Sequence, residues 1–143
     1  MEWRNSDNVR IWFKTPDAVS TEQHLQWYAT YSRKLDDFVF LIRDRVSGEL
    51  AGQISIYRVD HVRGEAEMGR LITAPGYEGK GLMNKACACL IEYSIAVIGL
   101  KRIYLEVLSS NERAIRLYEK LGFRPMRRED PLLHMVMECG PAE

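Results

Sequence analysis

A glycine-rich stretch in the middle of the chain constrains the fold more than any other feature of the sequence. Residues 75–84 read Pro-Gly-Tyr-Glu-Gly-Lys-Gly-Leu-Met-Asn and carry three glycines and a proline within seven residues. An apolar, strand-like run precedes this stretch, and apolar residues at helical spacing follow it. The pattern predicts a strand, a tight turn and a helix in direct succession, with unpaired N–H groups at the start of the helix.

The start of such a helix is suited to binding phosphate, because its N–H groups and the positive end of its dipole attract anions. Gly79 and Gly81 let the main chain approach a pyrophosphate closely or adopt a positive φ angle. The spacing excludes two common nucleotide motifs. A P-loop needs four residues between its glycines and a Lys-Ser/Thr pair, and the dinucleotide fingerprint fails at Asn84.

The composition indicates one ordinary globular domain. The 143 residues are 46% hydrophobic and 28% charged, and this length is enough to bury a single core. Twenty basic residues balance twenty acidic ones, so no overall charge favours nucleic acid or an anionic membrane. The sequence shows no signal peptide and no apolar run of spanning length, and the three cysteines suit neither disulfides nor zinc. We expect one cytoplasmic domain over residues 1–143, without metal.

Hydrophobic periodicity predicts alternating helices and strands along the chain. The continuous β-prone run at 38–42 predicts a strand covered on both faces. Together the elements predict one mixed α/β (α+β) sheet flanked by helices. In order they are a helical or irregular start over 2–14, a helix capped by Ser20 with Gln23, strands at 38–42, 50–59 and 66–73, a helix at 80–98 ended by Gly99, a strand at 103–108, a helix with a Ser109/Glu112 capping box ended by Gly122, and a strand at 131–138.

Two of these segments form a specific combination. Residues 77–83 open the long helix, and residues 110–123, Ser-Asn-Glu-Arg-Ala-Ile-Arg-Leu-Tyr-Glu-Lys-Leu-Gly-Phe, form the later one. The combination resembles the GNAT superfamily of acetyl-CoA-dependent N-acetyltransferases, in its ribosomal-protein and amino-sugar branch, over residues 8–138. Of the usual glycine-loop pattern, Gln/Arg-x-x-Gly-x-Gly/Ala, only Gly81 is retained here. The resemblance implies a GNAT domain whose usual first strand is missing, and a homodimer or a rearranged N-terminus that covers the exposed sheet edge.

The resemblance also implies a site for acetyl-CoA, with coenzyme A as the product. Its pyrophosphate is expected on the amides of residues 78–83, and its pantetheine arm along the strand that ends near Thr73. By analogy, Asn111 contacts that arm and Tyr118 lies near the thioester sulfur. The implied cofactor-binding residues are Leu71, Ile72, Thr73, Glu78, Gly79, Lys80, Gly81, Leu82, Met83, Asn111, Ala114 and Tyr118.

The candidate catalytic residues each have a structural alternative. The family's general base is often a glutamate where Glu67 lies, although a solvated strand carboxylate explains Glu67 equally well. Tyr118 is either the proton donor to the departing thiolate or a core tyrosine. A phenol suits the first role, since its reference pKa of about 10 keeps it protonated beside a thiol of about 8.5. His134 either faces the acceptor or is a partly buried histidine, and the N-terminal tryptophans are mostly core.

The expected reaction is direct attack of a primary amine on acetyl-CoA in a ternary complex. The acceptor is a small molecule such as an amino sugar, or a protein N-terminus, with neither nucleic acid nor membrane as partner. A lysine amine, reference pKa about 10.4, needs stronger deprotonation than an α-amine of about 7.7–8.0, which favours the latter. The alternative is a degenerate domain that binds coenzyme A or a partner without catalysis, which Glu78 and Met83 favour.

Overall fold

A mixed sheet of six strands forms the centre of the structure, a computed structural model that describes residues 1–6 and 17–139. The strands are β1 (Phe38–Arg43), β2 (Leu50–Asp60), β3 (Glu65–Thr73), β4 (Arg102–Leu108), β5 (Arg124–Glu129) and β6 (Leu132–Glu138). The helices are α1 (Glu2–Asn5), α2 (Thr21–Tyr31), α3 (Leu82–Tyr93), which continues as a π-helical turn (Ser94–Ile98), and α4 (Glu112–Leu121). The spatial order is β1-β2-β3-β4-β6-β5, and among these described strands only β3 and β4 pair in parallel. The predicted mixed sheet flanked by helices is confirmed.

One face of the sheet holds the core and the other is polar, because residues alternate along β4. Ile103, Leu105 and Val107 are buried, whereas Tyr104 and Glu106 between them are only partly covered. Helices α3 and α4 pack on the apolar face. Each fully buried Leu, Ile or Met on that face contributes about 1.5–3 kcal/mol.

Strands β3 and β4 pair over a short distance only. The parallel ladder runs from Glu65 opposite Arg102 to Glu67 opposite Tyr104 and then stops. Immediately beyond, β3 contains a bulge in which two residues, Arg70 and Leu71, face one residue of β2. Arg70 has φ +55°, so the bulge bends β3 through a left-handed residue. The two strands therefore stop pairing on the C-terminal side of Glu67, and a cleft opens between them.

The predicted helix ends are partly confirmed. Ser20 and Gln23 form the predicted capping box, and Gly99 and Gly122 end their helices in left-handed conformations. The helix predicted at 80–98 begins only at Leu82 and turns π-helical after Tyr93. The predicted Ser109/Glu112 capping box is wrong. Ser109 and the next residue lie in a turn, and the cap is Asn111, whose Oδ1 accepts a hydrogen bond of 3.2 Å from the Ala114 N–H.

Two strand predictions also need correction. Strand β5, Arg124–Glu129, was not predicted, because its six residues are all exposed and show neither alternation nor an apolar run. The final strand begins at Leu132 and pairs with both β4 and β5. The prediction that residues 38–42 are covered on both faces is wrong, since β1 is an edge strand and Leu41 is 58% exposed.

The aromatic residues near the N-terminus are less buried than predicted. Trp27 and Tyr28 of α2 are exposed rather than packed in the core, and Trp27 stacks on Tyr31 with ring centroids 5.0 Å apart. Trp12 and most of the predicted irregular start lie outside the described residues. Within the part of the chain that the structure describes, no helix combines the length and apolarity that crossing a bilayer requires.

Candidate active site

A cleft of about 690 Å³ lies where β3 and β4 separate. Its walls are the end of β3, the glycine-rich loop, the end of β4 and the first turns of α4. The structure brings most of the predicted cofactor-binding residues together in this cleft. Those that line it are Leu71, Ile72, Thr73, Glu78, Gly79, Gly81, Leu82, Met83, Asn111, Ala114 and Tyr118.

The glycine-rich loop presents main-chain N–H groups to the cleft. Gly79 and Gly81 have φ values of +73° and +69°, and Gly81 is the N-cap of α3 without any side-chain cap. A Cβ atom at either glycine would meet nothing within 4 Å, so the backbone conformation rather than crowding favours glycine. The first turn of α3 therefore keeps N–H groups available for an anion.

Two charged side chains of this loop interact with residues of the loop itself. Glu78 accepts a hydrogen bond of 2.9 Å from the Gly76 N–H, so its carboxylate supports its own turn. The Nζ atom of Lys80 lies 5.5 Å from the centre of the Tyr77 ring, and Lys80 is absent from the cleft lining. The negative charge of Glu78 is thus partly engaged within the loop.

The end of β3 has one free edge. Ile72 and Thr73 pair with Gln53 and Gly52 of β2, while the ladder to β4 has already ended at Glu67. The cleft-side peptide groups of residues 71–73 are therefore placed to bond an extended ligand, as an added strand would.

The start of α4 adds polar groups to the opposite wall. The Oδ1 atom of Asn111 is used by the helix cap, which leaves its Nδ2 group as the remaining donor. Arg113, in the first turn of α4, also lines the cleft and brings a positive charge. Arg113 was missed by the sequence analysis, although its position two residues after Asn111 was a usable signal.

Tyr118 is both a core residue and a residue of the cleft, so its position is compatible with either role that the sequence left open. Its ring packs edge-to-face on Phe123 with centroids 5.9 Å apart, and the residue is buried in the core. It also lines the cleft. Burial raises the pKa of the Tyr118 phenol well above its ordinary value, with Cys87 and Tyr57 nearby as smaller influences. The phenol therefore remains protonated throughout the neutral range.

Glu67 lies behind the cleft rather than on its lining. Its Oε1 atom forms an ion pair with the guanidinium of Arg58 on β2. Glu67 also faces Tyr57 across the ladder. Burial, together with the charge of Glu67, raises the pKa of Tyr57 to about 12. The role of Glu67 as general base stays a prediction.

The bulged arginine of β3 is held in a fixed position beside the cleft. Arg70 binds Asp37 through two hydrogen bonds of 2.7 and 3.1 Å and lies 4.2 Å from the centre of the Tyr57 ring. The Tyr57 hydroxyl lies 2.7 Å from the position of a Cβ atom at Gly69, so any larger residue there would require the Tyr57 side chain to move. Asp37 is buried, and its charge is balanced by Arg70 and more distantly by Lys34.

Replacing Asp37 with asparagine is expected to destabilise the fold. The change removes a charge from a buried, two-bonded pair, and Arg70 is left without its carboxylate. We expect the free energy of unfolding to fall by about 2 kcal/mol, measured by urea denaturation. Asp36→Asn is the matched control, because Asp36 is exposed. Equal effects of the two changes would contradict this assignment.

Comparison with known proteins places this architecture in a family. The sequence profile of the acetyltransferase (GNAT) domain matches residues 1–124 of the chain. The chain belongs to the GNAT acetyltransferase family. The resemblance seen in the glycine loop and in residues 110–123 is thereby confirmed.

Its relatives include polyamine and protein acetyltransferases. Spermidine N(1)-acetyltransferase of Escherichia coli is 33% identical over 119 residues, which make up 83% of this chain and 62% of that protein. The putative ribosomal N-acetyltransferase YdaF of Bacillus subtilis is 37% identical over 76 residues, which cover 53% of this chain and 41% of that one. The chain thus spans less than two thirds of the length of these relatives.

A solved structure shares the fold over nearly the whole chain. The spermidine N-acetyltransferase of Vibrio cholerae, in complex with CoA and spermine, superposes with a TM-score of 0.85. The match covers 96% of this chain and 86% of that chain, at 23% sequence identity. At this identity the likeness establishes a common fold.

The GNAT cleft also contains residues that the sequence analysis did not select. They include Tyr57, Arg70, Glu106 and Arg113. Three of them, Tyr57, Arg70 and Glu106, lie on different strands and meet only through the register of the sheet. No local spacing in the sequence could have brought them together.

Proposed function

We propose that this GNAT domain transfers the acetyl group of acetyl-CoA to a primary amine of a small aliphatic polyamine. The observation that carries the proposal is the cleft at the separation of β3 and β4. There an uncapped helix start, a free strand edge and a buried phenol line one space. The helix start can bind phosphate, the strand edge can bond the amides of an extended chain, and the phenol can donate a hydrogen bond to the leaving sulfur.

The residues of the cleft fit acetyl-CoA along its length. The N–H groups after Gly81, with the charge of Arg113, suit the pyrophosphate, and the free edge of residues 71–73 suits the pantetheine amides. Bound there, acetyl-CoA supplies an acetyl thioester. The chain itself supplies the positioning, which is worth a large part of the rate in reactions between two bound partners.

Tyr118 supplies a hydrogen bond to the leaving sulfur in this scheme. Its raised pKa keeps the phenol protonated, so it stabilises negative charge on sulfur as the amine attacks. The buried surroundings strengthen that hydrogen bond, because water does not compete for it. The proton that the sulfur finally carries comes from the attacking nitrogen.

The polyamine acceptor is supported by relatives and by charge. A spermidine N(1)-acetyltransferase and a spermine/spermidine N(1)-acetyltransferase are 33% and 35% identical to this chain over the matched residues. In the cleft, Arg70 is neutralised by Asp37, and Glu106 contributes a carboxylate. The carboxylate of Glu106 attracts a cationic acceptor into the cleft and is a second candidate base besides Glu67, so an amine of high pKa is a suitable acceptor.

Turnover on a panel of acceptors tests the proposal. Release of free thiol from acetyl-CoA is measured with spermidine, spermine, an amino sugar, a peptide with a free N-terminus and a lysine peptide. We expect the fastest turnover on spermidine or spermine. Fastest turnover on the amino sugar or the N-terminal peptide would contradict the polyamine proposal and indicate an acceptor amine of low pKa. No turnover with any acceptor, alongside measurable coenzyme A binding, would support the non-catalytic alternative.

We further propose that a second copy of the chain covers the edge of the sheet at β1. The Tyr31 hydroxyl accepts a hydrogen bond of 3.1 Å from the Val39 N–H and covers part of this edge. Leu41 remains exposed beside an apolar groove of about 280 Å³ between β1 and α3. Such an edge favours pairing with another chain.

Light scattering tests the assembly. At micromolar concentration we expect the mass of a dimer, which is twice the 16.6 kDa of one chain. Leu41→Glu is expected to yield monomers, since it places a charge on the exposed edge. A monomer mass for the parent protein would overturn the proposal.

A further inference from the structure

Three titratable side chains lead from the cleft to the protein surface. Glu106 lies on β4 and lines the cleft. The strand register places His134 of β6 directly opposite Glu106. Glu129 of the edge strand β5 lies on the far side of His134, away from Glu106.

The three groups are close enough to exchange a proton after small movements. Glu106 Oε1 lies 3.7 Å from His134 Nδ1, and His134 Nε2 lies 3.5 Å from Glu129 Oε2. These separations slightly exceed hydrogen-bond length, so each transfer requires a rotamer change or one bridging water. The side chains of Glu106 and His134 are 18% and 11% exposed, whereas that of Glu129 is 59% exposed. The first two groups are enclosed and the last meets solvent.

Other charged groups face this row from neighbouring strands. Arg58 of β2 interacts electrostatically with Glu106, in addition to its ion pair with Glu67. On β5, Arg127 forms an ion pair of 2.9 Å with Glu129. Each of the two carboxylates of the row therefore has a cationic side chain near it. His134 lies between the two carboxylates, with one ring nitrogen towards each of them, so an imidazole is placed to accept a proton on one side and donate one on the other.

We propose that Glu106 is the general base for the acceptor amine, and that His134 and Glu129 carry its proton to solvent. This inference rests on the proposed acetyl transfer. The acceptor ammonium gives one proton to Glu106, which frees the nitrogen lone pair. The nitrogen–carbon bond then forms as the carbon–sulfur bond of the thioester breaks. The second nitrogen proton ends on the sulfur of coenzyme A. The first passes from Glu106 through His134 and Glu129 to water, so one proton is released per turnover.

The arrangement differs from what a structural role alone requires. A cross-strand pair of a carboxylate and an imidazole contributes about 0.2–1 kcal/mol at most, and an apolar pair would serve as well. Glu67, the other candidate base, is ion-paired with Arg58 and lies off the cleft lining. Glu106 is on the lining and has a route outward. If Glu106 is the base, replacing Glu106 should lower kcat more than replacing Glu67 does. If Glu67 is the base, the order should be reversed.

The test compares Glu106→Gln, Glu67→Gln and the exposed control Glu119→Gln, with the most active acceptor of the panel. We expect Glu106→Gln to lower kcat about a hundredfold. Its affinity for acetyl-CoA, measured by calorimetry, should stay within about twofold of the parent. Without the base only neutral amine reacts, so activity of this variant should climb about tenfold per pH unit. The parent should be nearly flat across neutral pH, and Glu119→Gln should match it.

A second variant keeps the relay testable if Glu106→Gln is poorly folded. His134→Ala is expected to lose about tenfold in kcat and to regain most of that loss with added imidazole, which a purely structural role would not produce. Failure of imidazole to rescue would overturn the relay. Unchanged kcat in Glu106→Gln, or a larger loss in Glu67→Gln, would overturn the assignment of the base. An inactive parent would instead overturn the proposed function, together with this inference.

Discussion

Replacing Gly81 with aspartate is expected to abolish acetyl-CoA binding while the fold remains intact. Gly81 caps α3 with φ +69°, and a side chain there enters open space. An aspartate would place a carboxylate against the N–H groups that are proposed to bind the pyrophosphate. The carboxylate would accept hydrogen bonds from these groups, as an N-cap side chain does. We expect the dissociation constant to rise more than about a hundredfold, by competition and charge repulsion combined.

Gly81→Asn is the matched control for this change. Asparagine has nearly the same shape and adopts the left-handed conformation about as readily as aspartate, but it carries no charge. The backbone cost of about 1–2 kcal/mol is common to both variants, and unfolding measurements should show it equally in both. Calorimetry with acetyl-CoA should then show a clearly tighter complex for Gly81→Asn. Unchanged acetyl-CoA affinity in Gly81→Asp would contradict the proposal that this loop binds the pyrophosphate.

The parts of the site that lie on one continuous segment could be predicted from the sequence. The glycine loop ending at Gly81 combines a turn and a helix start, and both depend on local backbone preferences. The same holds for the helix that begins after Asn111 and ends at Gly122. The cap was nevertheless assigned two residues too early, at Ser109. Serine and asparagine are both good caps, and local sequence does not choose between them.

The parts of the site that depend on strand register could not be predicted. Alternation along β4 places Glu106 on the polar face, but only the pairing with β6 sets it beside His134. The separation of β3 and β4 lies next to the bulge at Arg70. Gly69 within the strand indicates a bulge or a close backbone approach, but nothing in the sequence shows that the pairing with β4 stops there. Strand β5 was missed for a related reason, because an exposed edge strand rich in arginine lacks the apolar alternation that marks a strand.

The proposed chemistry uses residues from both faces of the sheet. Glu106, on the polar face of the sheet, is assigned the acceptor proton, and Tyr118, from the apolar face, is assigned the leaving sulfur. The opening between β3 and β4 is what lets groups from both faces reach the same space. An unbroken parallel ladder would keep them on opposite sides of the sheet.

Replacing Tyr118 with phenylalanine is expected to lower kcat about a thousandfold, because it removes the hydrogen-bond donor at the leaving sulfur and almost no packing volume. Contact of the ring with Phe123 is retained, so thermal unfolding and acetyl-CoA affinity should change little. The raised pKa of Tyr118 adds a second expectation. Since the phenol stays protonated, ionisation of Tyr118 should cause no fall in the kcat of the parent below about pH 10.

Tyr93→Phe is the matched control, because Tyr93 is an exposed tyrosine of α3 outside the cleft lining. If Tyr118→Phe retains kcat within about twofold of the parent, Tyr118 is a core residue, and departure of the thiolate proceeds without it.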